Sequence, residues 1–320
     1  MALHLPDRWI WDFWLADDAG VHHMFYLQAP RSIGDPEMRH WNVSIGHAVS
    51  ADLSTWEVLP DALTPGPPGS WDDYSTWTGS VICHEGVWHM LYTGTNRAED
   101  GRVQRIGLAT STDLITWERH PGGPVLEADP RWYEILDLDV WFDQAWRDPW
   151  VFLDPDDGWF HAFVSARANH GDPKERGVVG HARSRDLINW EVLPPVAHPG
   201  GFGELEVPQL VAEHGNWYLV FCSVIETQSS AQLLNGRGSG TYYFKADDRY
   251  GPFDADRVRA IQADETGSRY GGRFVRHDEG LRYMAWDRVG EAGFVGSISD
   301  PVPVEVDEHG HLVLAEAVTT

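Results

Sequence analysis

A short strand-like pattern that recurs five times along the chain constrains the fold more than any other feature of the sequence. Each copy follows a turn residue, is rich in branched and aromatic residues, and ends on an aromatic side chain. These closing aromatics are Tyr26, Tyr92, Phe163, Phe221 and Trp286. Runs of this composition favour β-strands. The chain is therefore predicted to consist of five units of about 64 residues each, because a fixed internal period indicates a repeat architecture.

A second motif follows three of these strands, in residues 46–57, 107–118 and 180–191. Each copy carries a Ser, an Asp-Leu pair and a Trp at the same spacing. We interpret it as a strand that ends at the Ser, a turn at Asp-Leu, and a Trp that begins the next strand, because Ser and Asp side chains bond nearby backbone N–H groups in turns. The repetition assigns a structural role to the acids of these turns, which are Asp52, Asp113 and Asp186.

These repeats predict an all-β chain folded as a five-bladed β-propeller. One blade cannot bury both faces of its sheet, whereas ring closure buries them against neighbouring blades and leaves few open edges. No proline-rich or serine-rich linker divides the chain, so we expect a single domain over residues 1–320. Ligands are expected at one mouth of the central channel, where the innermost strands of different blades begin.

The composition argues against several classes of function. The chain has 49 Asp and Glu against 24 Lys and Arg, a net charge of −25, which disfavours nucleic-acid and anionic-membrane partners. It shows neither a transmembrane run nor a signal peptide, so a cytoplasmic protein is expected. Cys83 and Cys222 make neither a disulfide framework nor a metal cluster, and no cofactor is expected. The 17 Trp suit carbohydrate, whose C–H faces stack on aromatic rings.

Three acidic residues stand outside the repeats, each at the start of a predicted strand in a different blade. Asp12 lies within the aromatic run Trp-Ile-Trp-Asp-Phe-Trp, Asp148 precedes a strand-like run that opens the third blade, and Glu206 precedes another that opens the fourth. Burying a carboxylate such as Asp12 among aromatic rings costs several kcal/mol unless it is paired, on the order of 2–7 kcal/mol for a neutral polar group and more for a charge. We therefore expect these three side chains to converge as a catalytic site for a sugar.

Several motifs resemble those of fructose-processing glycoside hydrolases. Residues 11–15 (Trp-Asp-Phe-Trp-Leu) resemble the nucleophile motif Trp-Asp-Ser-Trp-Pro of family 68 levansucrases. Residues 146–149 match the Arg-Asp-Pro motif of that family and of the family 32 invertases and fructanases. Residues 204–208 resemble the acid/base motifs Glu-Ile-Glu-Arg and Glu-Cys-Pro of these two families. Residues 46–50 and 76–80 are similar to family 32 segments, the latter to the substrate-binding stretch Trp-Ser-Gly-Ser.

The resemblance implies a retaining glycoside hydrolase or fructosyltransferase that acts on a small β-fructofuranoside, of the sucrose or fructo-oligosaccharide type. In such an enzyme Asp12 attacks the anomeric carbon, while Glu206 protonates the leaving oxygen and later deprotonates the incoming water or sugar. Asp148 holds fructose hydroxyls and stabilises the positive charge of the transition state. Further substrate contacts are implied for Trp11, Trp14, Trp77, Thr78, Arg147, Glu204 and Arg237.

Other interpretations of some of these residues stay open. The three Trp are explained equally well as core, and the Gly-rich segment around Arg237 as a flexible turn. The segment that begins at Tyr270 opens the last blade and points either into the channel or around a corner of the sheet.

Two other functions also stay open. Family 43 arabinosidases and xylosidases share the propeller and an Asp/Asp/Glu triad, in which Asp12 would activate water with inversion at a pentose. A sugar-binding propeller without catalysis is disfavoured by the presence of all three acids. The likeness to family 43 leaves room for a structural cation in the channel, although no metal-ligand spacing is present and no metal site is predicted. The chain length predicts no C-terminal β-sandwich, and the oligomeric state cannot be inferred.

Overall fold

The computed structural model describes residues 3–230, 232, 238–253 and 257–315, and its strands form five antiparallel sheets. The first sheet contains β1 (Arg8–Asp18), β2 (Val21–Pro30), β3 (Ser44–Ser50) and β4 (Glu57–Leu63). The second contains β5 (Ser75–His84), β6 (Val87–Thr95), β7 (Arg105–Ser111) and β8 (Glu118–Arg119). The third contains β9 (Trp146–Leu153), β10 (Phe160–Arg167), β11 (Gly177–Ser184) and β12 (Trp190–Ala197).

The last two sheets complete a five-bladed propeller and confirm the predicted all-β fold. The fourth contains β13 (Glu206–Glu213), β14 (Asn216–Ser223), β15 (Ser239–Ala246) and β16 (Val258–Asp264). The fifth contains β17 (Arg269–His277), β18 (Gly280–Gly290), β19 (Gly293–Ile298), β20 (Val302–Val306) and β21 (Leu312–Leu314). Both β19 and β20 pair with β18, so together they occupy the place of a third strand.

Short 3-10 helices interrupt the loops between strands. They span Arg31–Ile33, Pro36–Trp41, Arg97–Glu99, Pro173–Glu175 and Ile225–Thr227. No helix in the described ranges is both long and apolar enough to cross a membrane.

The first and last blades are joined where the N-terminal segment meets β19. Leu3 and Ile298 exchange main-chain hydrogen bonds, of 3.3 Å from the Leu3 N–H and 2.9 Å from the Ile298 N–H. Arg31, which follows β2, adds a hydrogen bond of 3.0 Å from its Nη2 to the carbonyl of Val295. These contacts connect residues from opposite ends of the sequence, so they close the ring.

The five aromatic repeats are strands, as predicted, and each is the second strand of its blade, but the third copy is displaced by one residue. Tyr26 pairs with Gly46 and Tyr92 with Gly107, whereas the equivalent Gly180 pairs with Val164 rather than with Phe163. In the first blade the missing side chain makes room for the tyrosine, since a Cβ on Gly46 would lie 2.3 Å from Cε2 of Tyr26. The smaller valine of the third blade is why an alignment on aromatic residues slipped there.

The Ser-Asp-Leu-Trp motif folds into the predicted turn in all three copies. In the first, Oδ1 of Asp52 accepts hydrogen bonds from the N–H groups of Ser54 and Thr55, at 2.8 and 2.7 Å. The next residue, Leu53, takes a left-handed conformation with φ of 60°, and the Trp56 Nε1–H donates to its carbonyl at 3.1 Å. The copies at Asp113 and Asp186 repeat this pattern. These acids therefore stabilise turns, as predicted.

Apolar side chains are buried mainly between neighbouring blades. Within the described residues they form four clusters, each of which draws on more than one blade. Leu91 of the second blade and Val151 of the third share one cluster, for example, and Val211 of the fourth blade and Phe274 of the fifth share another. Ring closure therefore buries the sheet faces, as the hydrophobic effect requires.

Candidate active site

Each innermost strand contains a register shift near its N-terminal end. The shifts occur between Trp11 and Phe13 in β1, Trp77 and Gly79 in β5, Glu206 and Gln209 in β13, and Tyr270 and Arg273 in β17. In the third blade, Asp148 and Pro149 of β9 are the residues at the shift. A β-bulge bends its strand and re-aims the side chain that it carries. Each of the three predicted acids lies at one of these bulges, which explains how acids from three blades reach one place.

Asp12 is held by side chains from the second and fifth blades. Its Oδ1 accepts a hydrogen bond of 2.8 Å from the Trp286 Nε1–H, and its Oδ2 accepts one of 3.3 Å from the Thr78 hydroxyl. The fifth blade approaches so closely that a Cβ on Gly271 would lie 2.8 Å from Oδ1. Burial raises the pKa of Asp12 to about 7, and the nearby carboxylates of Asp148 and Glu206 add to this effect.

Asp148 is fixed by both its backbone and its carboxylate. Its φ of 55° is left-handed, and its N–H donates to the Thr93 hydroxyl at 2.9 Å. Its Oδ2 accepts hydrogen bonds from the Ser165 hydroxyl at 2.8 Å and from the Val207 N–H at 3.1 Å. The latter bond connects Asp148 to the residue that follows Glu206. Burial raises the pKa of Asp148, and the negative charge of Glu206 raises it further.

Glu206 is the most accessible of the Arg147-linked acids. Its side chain is 22% exposed, compared with 5% for Asp148 and 6% for Glu204. Its Oε1 accepts a hydrogen bond of 2.9 Å from Nη2 of Arg147, and its Oε2 accepts one from the Tyr270 hydroxyl. This carboxyl group is therefore oriented from two blades and still faces the cavity, as a proton donor to substrate requires.

Arg147 connects the acids of the site. Its Nη2 lies 2.9 Å from Oε1 of Glu204 as well as from Glu206, its Nε lies 3.6 Å from Oδ2 of Asp148, and its Nη1 lies 3.4 Å from Oδ2 of Asp143. One buried cation is thus surrounded by four carboxylates. Burial raises the pKa of Glu204 to about 7, and the negative charges of Asp143 and Glu206 add to this effect, whereas Arg147 opposes it. We infer that some of these carboxyl groups are protonated near neutral pH, which reduces the negative charge of the site.

The three predicted catalytic acids line one cavity of about 200 Å³. Its wall also includes Trp11, Trp77, Thr78, Arg147 and Glu204, which are five of the seven predicted substrate contacts. An adjoining cavity of about 440 Å³ shares His40, Trp77, Gln104, Phe142 and Asp143 with it. The shared wall therefore combines the aromatic rings of His40, Trp77 and Phe142 with the polar side chains of Gln104 and Asp143.

Two of the predicted substrate contacts are not found in this cavity. Trp14 is 1% exposed, stacks on Phe25 with ring centroids 6.1 Å apart, and borders a separate cavity with Trp150 and Trp217. Trp14 therefore lies outside the cavity of the three acids, past the bulge at Asp12 that changes the alternation of side chains along β1, and its contact with substrate stays a prediction. Arg237 lies outside the described residues.

Several residues of the site were not predicted as site residues. They include His40, Gln104, Phe142 and Asp143, which line the cavity, and Trp286 and Tyr270, which bind the acids. Trp286 was predicted only as a repeat aromatic, and Tyr270 only as one of two alternatives for the last blade. The register shift between Tyr270 and Arg273 includes Gly271, a glycine with φ of 60°. This bulge distinguishes the segment that begins at Tyr270 from a simple corner of the sheet. His40, in a short 3-10 helix, has no such signal.

One group among the described residues has metal-ligand atoms close together. Ligand atoms of Asp154, Asp157 and His161 lie within 4.8 Å of one another, the two acids in the connection between β9 and β10 and the histidine at the start of β10. Asp154 is already bound by protein donors, because it pairs with Arg249 and accepts a hydrogen bond of 2.6 Å from the Tyr250 hydroxyl. The positive guanidinium of Arg249 opposes a cation there, so we assign no metal to this group.

The sequence is similar to plant and bacterial enzymes that act on fructosides. It is 30% identical over 208 residues to a sucrose:sucrose 1-fructosyltransferase of Festuca arundinacea, covering 62% of this chain and 28% of that protein. It is 32% identical over 209 residues to an insoluble β-fructofuranosidase isoenzyme 7 of Oryza sativa subsp. indica, covering 61% and 31%. It is also 32% identical over 179 residues to a sucrose-6-phosphate hydrolase of Zymomonas mobilis, covering 53% and 30%. The chain thus matches less than a third of the length of each of these relatives.

Solved structures share the fold. An inulosucrase from Halalkalicoccus jeotgali bound to kestose superposes with a TM-score of 0.78 at 23% identity, covering 97% of this chain and 87% of that one. A thermostable family-43 glycoside hydrolase superposes with a TM-score of 0.71 at 14% identity, covering 98% and 95%. At these identities the likeness concerns the propeller alone.

A family model assigns the chain more specifically. The model of the glycosyl hydrolases family 32 N-terminal domain matches residues 13–293, which is most of the sequence and includes Asp148 and Glu206. The match begins one residue after Asp12, so the place of Asp12 in the site rests on the geometry described above. Together with the propeller and its convergent acids, this match shows that the chain belongs to glycosyl hydrolase family 32.

Proposed function

We propose that the chain cleaves a small β-fructofuranoside of the sucrose or fructo-oligosaccharide type by a retaining mechanism, and passes the fructosyl unit to water or to another sugar. The observation that carries the proposal is the convergence of Asp12, Asp148 and Glu206 in one cavity of a family 32 propeller. The relatives named above support the class of substrate, since their names all describe action on fructosides or fructosyl transfer.

The first step assigns a nucleophile and an acid. Asp12, aligned by Trp286 and Thr78, attacks the anomeric carbon of the fructosyl unit, and the bond from that carbon to the leaving oxygen breaks. Glu206 gives its proton to the leaving oxygen, which departs as a sugar hydroxyl. The product of this step is a fructosyl ester of Asp12. Asp148, next to the reacting carbon, binds hydroxyls of the fructosyl ring and stabilises the positive charge that develops.

The second step reverses the role of Glu206. Its carboxylate now takes a proton from water or from a sugar hydroxyl, which attacks the same anomeric carbon and releases Asp12 as a carboxylate. Two inversions at one carbon retain its configuration. The adjoining cavity of about 440 Å³ provides room for the leaving sugar in the first step and for an acceptor sugar in the second.

A panel of substrates tests the proposal. The purified chain is incubated with sucrose, short fructo-oligosaccharides, levanbiose and aryl arabinosides and xylosides, and the products are separated by chromatography. We expect fructose or longer fructosyl products from the wild type and from Asp113→Asn, a matched control in a structural turn, and none from Asp12→Asn. Release of pentose without action on any fructoside would support an inverting family 43 type of activity instead. Binding of sugar without turnover would indicate a non-catalytic propeller.

A further inference from the structure

Arg273 is a buried cation with no carboxylate partner in direct contact. It is 2% exposed, and within the described part of the chain no Asp or Glu oxygen forms a salt bridge with it. Its Trp150 neighbour lies under the guanidinium, 5.9 Å from the ring centroid to Cζ. Burying an unpaired charge is costly, so its retention calls for an explanation other than packing.

The hydrogen bonds of Arg273 end on the residues beside the two acids that the proposed reaction uses most directly. Its Nε donates to the carbonyl of Phe13, the residue after Asp12, at 3.1 Å. Its Nη1 donates to the carbonyls of Val207 and Pro208, the residues after Glu206, at 2.8 and 2.9 Å. One side chain from the fifth blade therefore fixes the bulges of the first and fourth blades relative to each other.

The positive charge of Arg273 also acts on the carboxyl groups of Asp12 and Asp148. Burial, Asp148 and Glu206 oppose ionisation of Asp12 and raise its pKa, whereas the hydrogen bond from Trp286 and the positive charge of Arg273 favour the ionised carboxylate. Its own pKa is lowered by burial, and the charges of Asp148 and Asp12 act in the opposite direction. The groups that face Asp12 from the surrounding elements are Thr78 of β5, Asp148 of β9, Glu206 of β13, Cys222 of β14, Tyr270 and Arg273 of β17, Trp286 of β18, and Arg39 of the helix Pro36–Trp41.

We propose that Arg273 is a positioning residue of the reaction, which favours the ionised form of Asp12 and holds the nucleophile and the acid/base at a fixed separation. This inference rests on the proposed function, because it assigns Arg273 a role through Asp12 and Glu206. It does not require Arg273 to touch the substrate, since its hydrogen bonds go to main-chain carbonyls and it does not line the cavity of the three acids. A residue that served folding alone would need neither its charge nor contacts beside both acids.

The kcat/KM–pH profile separates the two roles of Arg273. In Arg273→Gln the positive charge is lost while hydrogen-bond donation remains feasible, so we expect the acidic limb of the profile to move to higher pH by about one unit. Relative to wild type, activity then falls about tenfold more at pH 6 than at pH 9. Arg273→Lys keeps the charge and loses the forked geometry, so its acidic limb stays in place while kcat falls about tenfold or more.

The control is Arg183→Gln, which removes an arginine from β11, the third strand of the third blade, paired with Glu191 at 2.8 Å and outside the cavity. We expect its profile to match the wild type. An unshifted acidic limb in a folded Arg273→Gln variant overturns the proposal, as does a failure of both Arg273 variants to fold, which would make the residue purely structural. A wild type that is inactive on every glycoside would refute the proposed function instead.

Discussion

Two sets of acidic residues in this propeller have the same chemistry and opposite surroundings. In the outer turns, Asp52 and Asp113 are exposed, and hydrogen bonds from backbone N–H groups lower the pKa of each to about 2. At the channel mouth, burial and neighbouring carboxylates raise the pKa of Asp12 to about 7. The turn acids are satisfied by their own segment, whereas Asp12 depends on side chains from two other blades.

The difference shows how one fold uses the same side chain for stability and for reactivity. A carboxylate saturated by local N–H donors is a poor nucleophile and a poor base, because its charge is already stabilised. A carboxylate in a desolvated, negatively charged site is costly for folding, yet its charge is available to a substrate. The following predictions test this comparison, from the largest expected effect to the smallest.

Removing either acid of the proposed reaction should have the largest effect. Asp12→Asn and Glu206→Gln preserve size and should each lower kcat/KM on the best substrate by at least about 10³-fold, because one lacks the nucleophile and the other the proton donor. Steady-state kinetics measure this, and circular dichroism checks the fold. A loss of less than tenfold in either variant would remove that residue from the proposed mechanism.

Replacing Arg147 with lysine should have the next largest effect. A lysine cannot bridge Glu204 and Glu206 as the guanidinium Nη2 does at 2.9 Å to each, so Glu206 loses its orientation. We expect kcat to fall by roughly 10²-fold, with a smaller change in KM. If KM alone rose and kcat were unchanged, Arg147 would bind substrate rather than orient the acid.

The pH profile should report the raised pKa of Asp12. The reactive form is the carboxylate, which is lost by protonation as the pH falls through about 7. We therefore expect kcat/KM to decline below that pH by roughly tenfold per unit, while circular dichroism at each pH shows that the chain remains folded. An acidic limb near pH 4 would mean that Asp12 is as well stabilised as the turn acids.

Neutralising Asp12 should make the fold more stable above neutral pH. Its folded pKa lies above its unfolded value of 3.8, so the folded state bears the full cost of the charge above pH 7, less between pH 7 and 4, and none below both values. Asp12→Asn is expected to raise the free energy of unfolding at pH 8 by up to about 4 kcal/mol, for a pKa raised from 3.8 to about 7, with no gain near pH 4. Denaturant unfolding at both pH values measures this, and equal gains at both would contradict the account.

The smallest effect is expected in the turns. Asp186→Asn removes the charge of a carboxylate that accepts from the N–H groups of Ile188 and Asn189 at 3.0 and 2.7 Å and does not line the cavity of the three acids. We expect kcat/KM to change by less than about twofold and Tm to fall by roughly 2 °C or less. A tenfold loss of activity would place this turn in the site.

The repetitive part of the molecule was the part that sequence could predict. Five aromatic strands and three Ser-Asp-Leu-Trp turns each follow a local rule, so their pattern indicated the propeller and its blade order. The slip at Val164 occurred where a smaller side chain replaced the expected aromatic residue opposite Gly180. Ring closure through Leu3 and Ile298 depends on residues at opposite ends of the chain and has no local pattern.

The site was predictable where a motif coincided with a bulge. Asp148 and Glu206 lie in short motifs at strand starts, and the structure brings them together with Asp12. Trp14 lies in the wall of a separate cavity, because a single bulge changes which face a strand residue occupies. His40 and Phe142 reach the cavity, and Tyr270 reaches Glu206, through tertiary packing, which spacing along one strand does not reveal.

Trapping of a fructosyl unit on Asp12 tests the central claim most directly. Glu206→Gln is incubated briefly with fructosyl fluoride, whose fluoride leaves without protonation, so the first step proceeds while the second is slow. The denatured protein is then digested and its peptides are analysed by mass spectrometry. The account predicts a hexosyl adduct on the peptide that contains Asp12, absent in the double variant with Asp12→Asn. Turnover of the fluoride with no adduct, or an adduct on Asp148, would contradict Asp12 as the nucleophile.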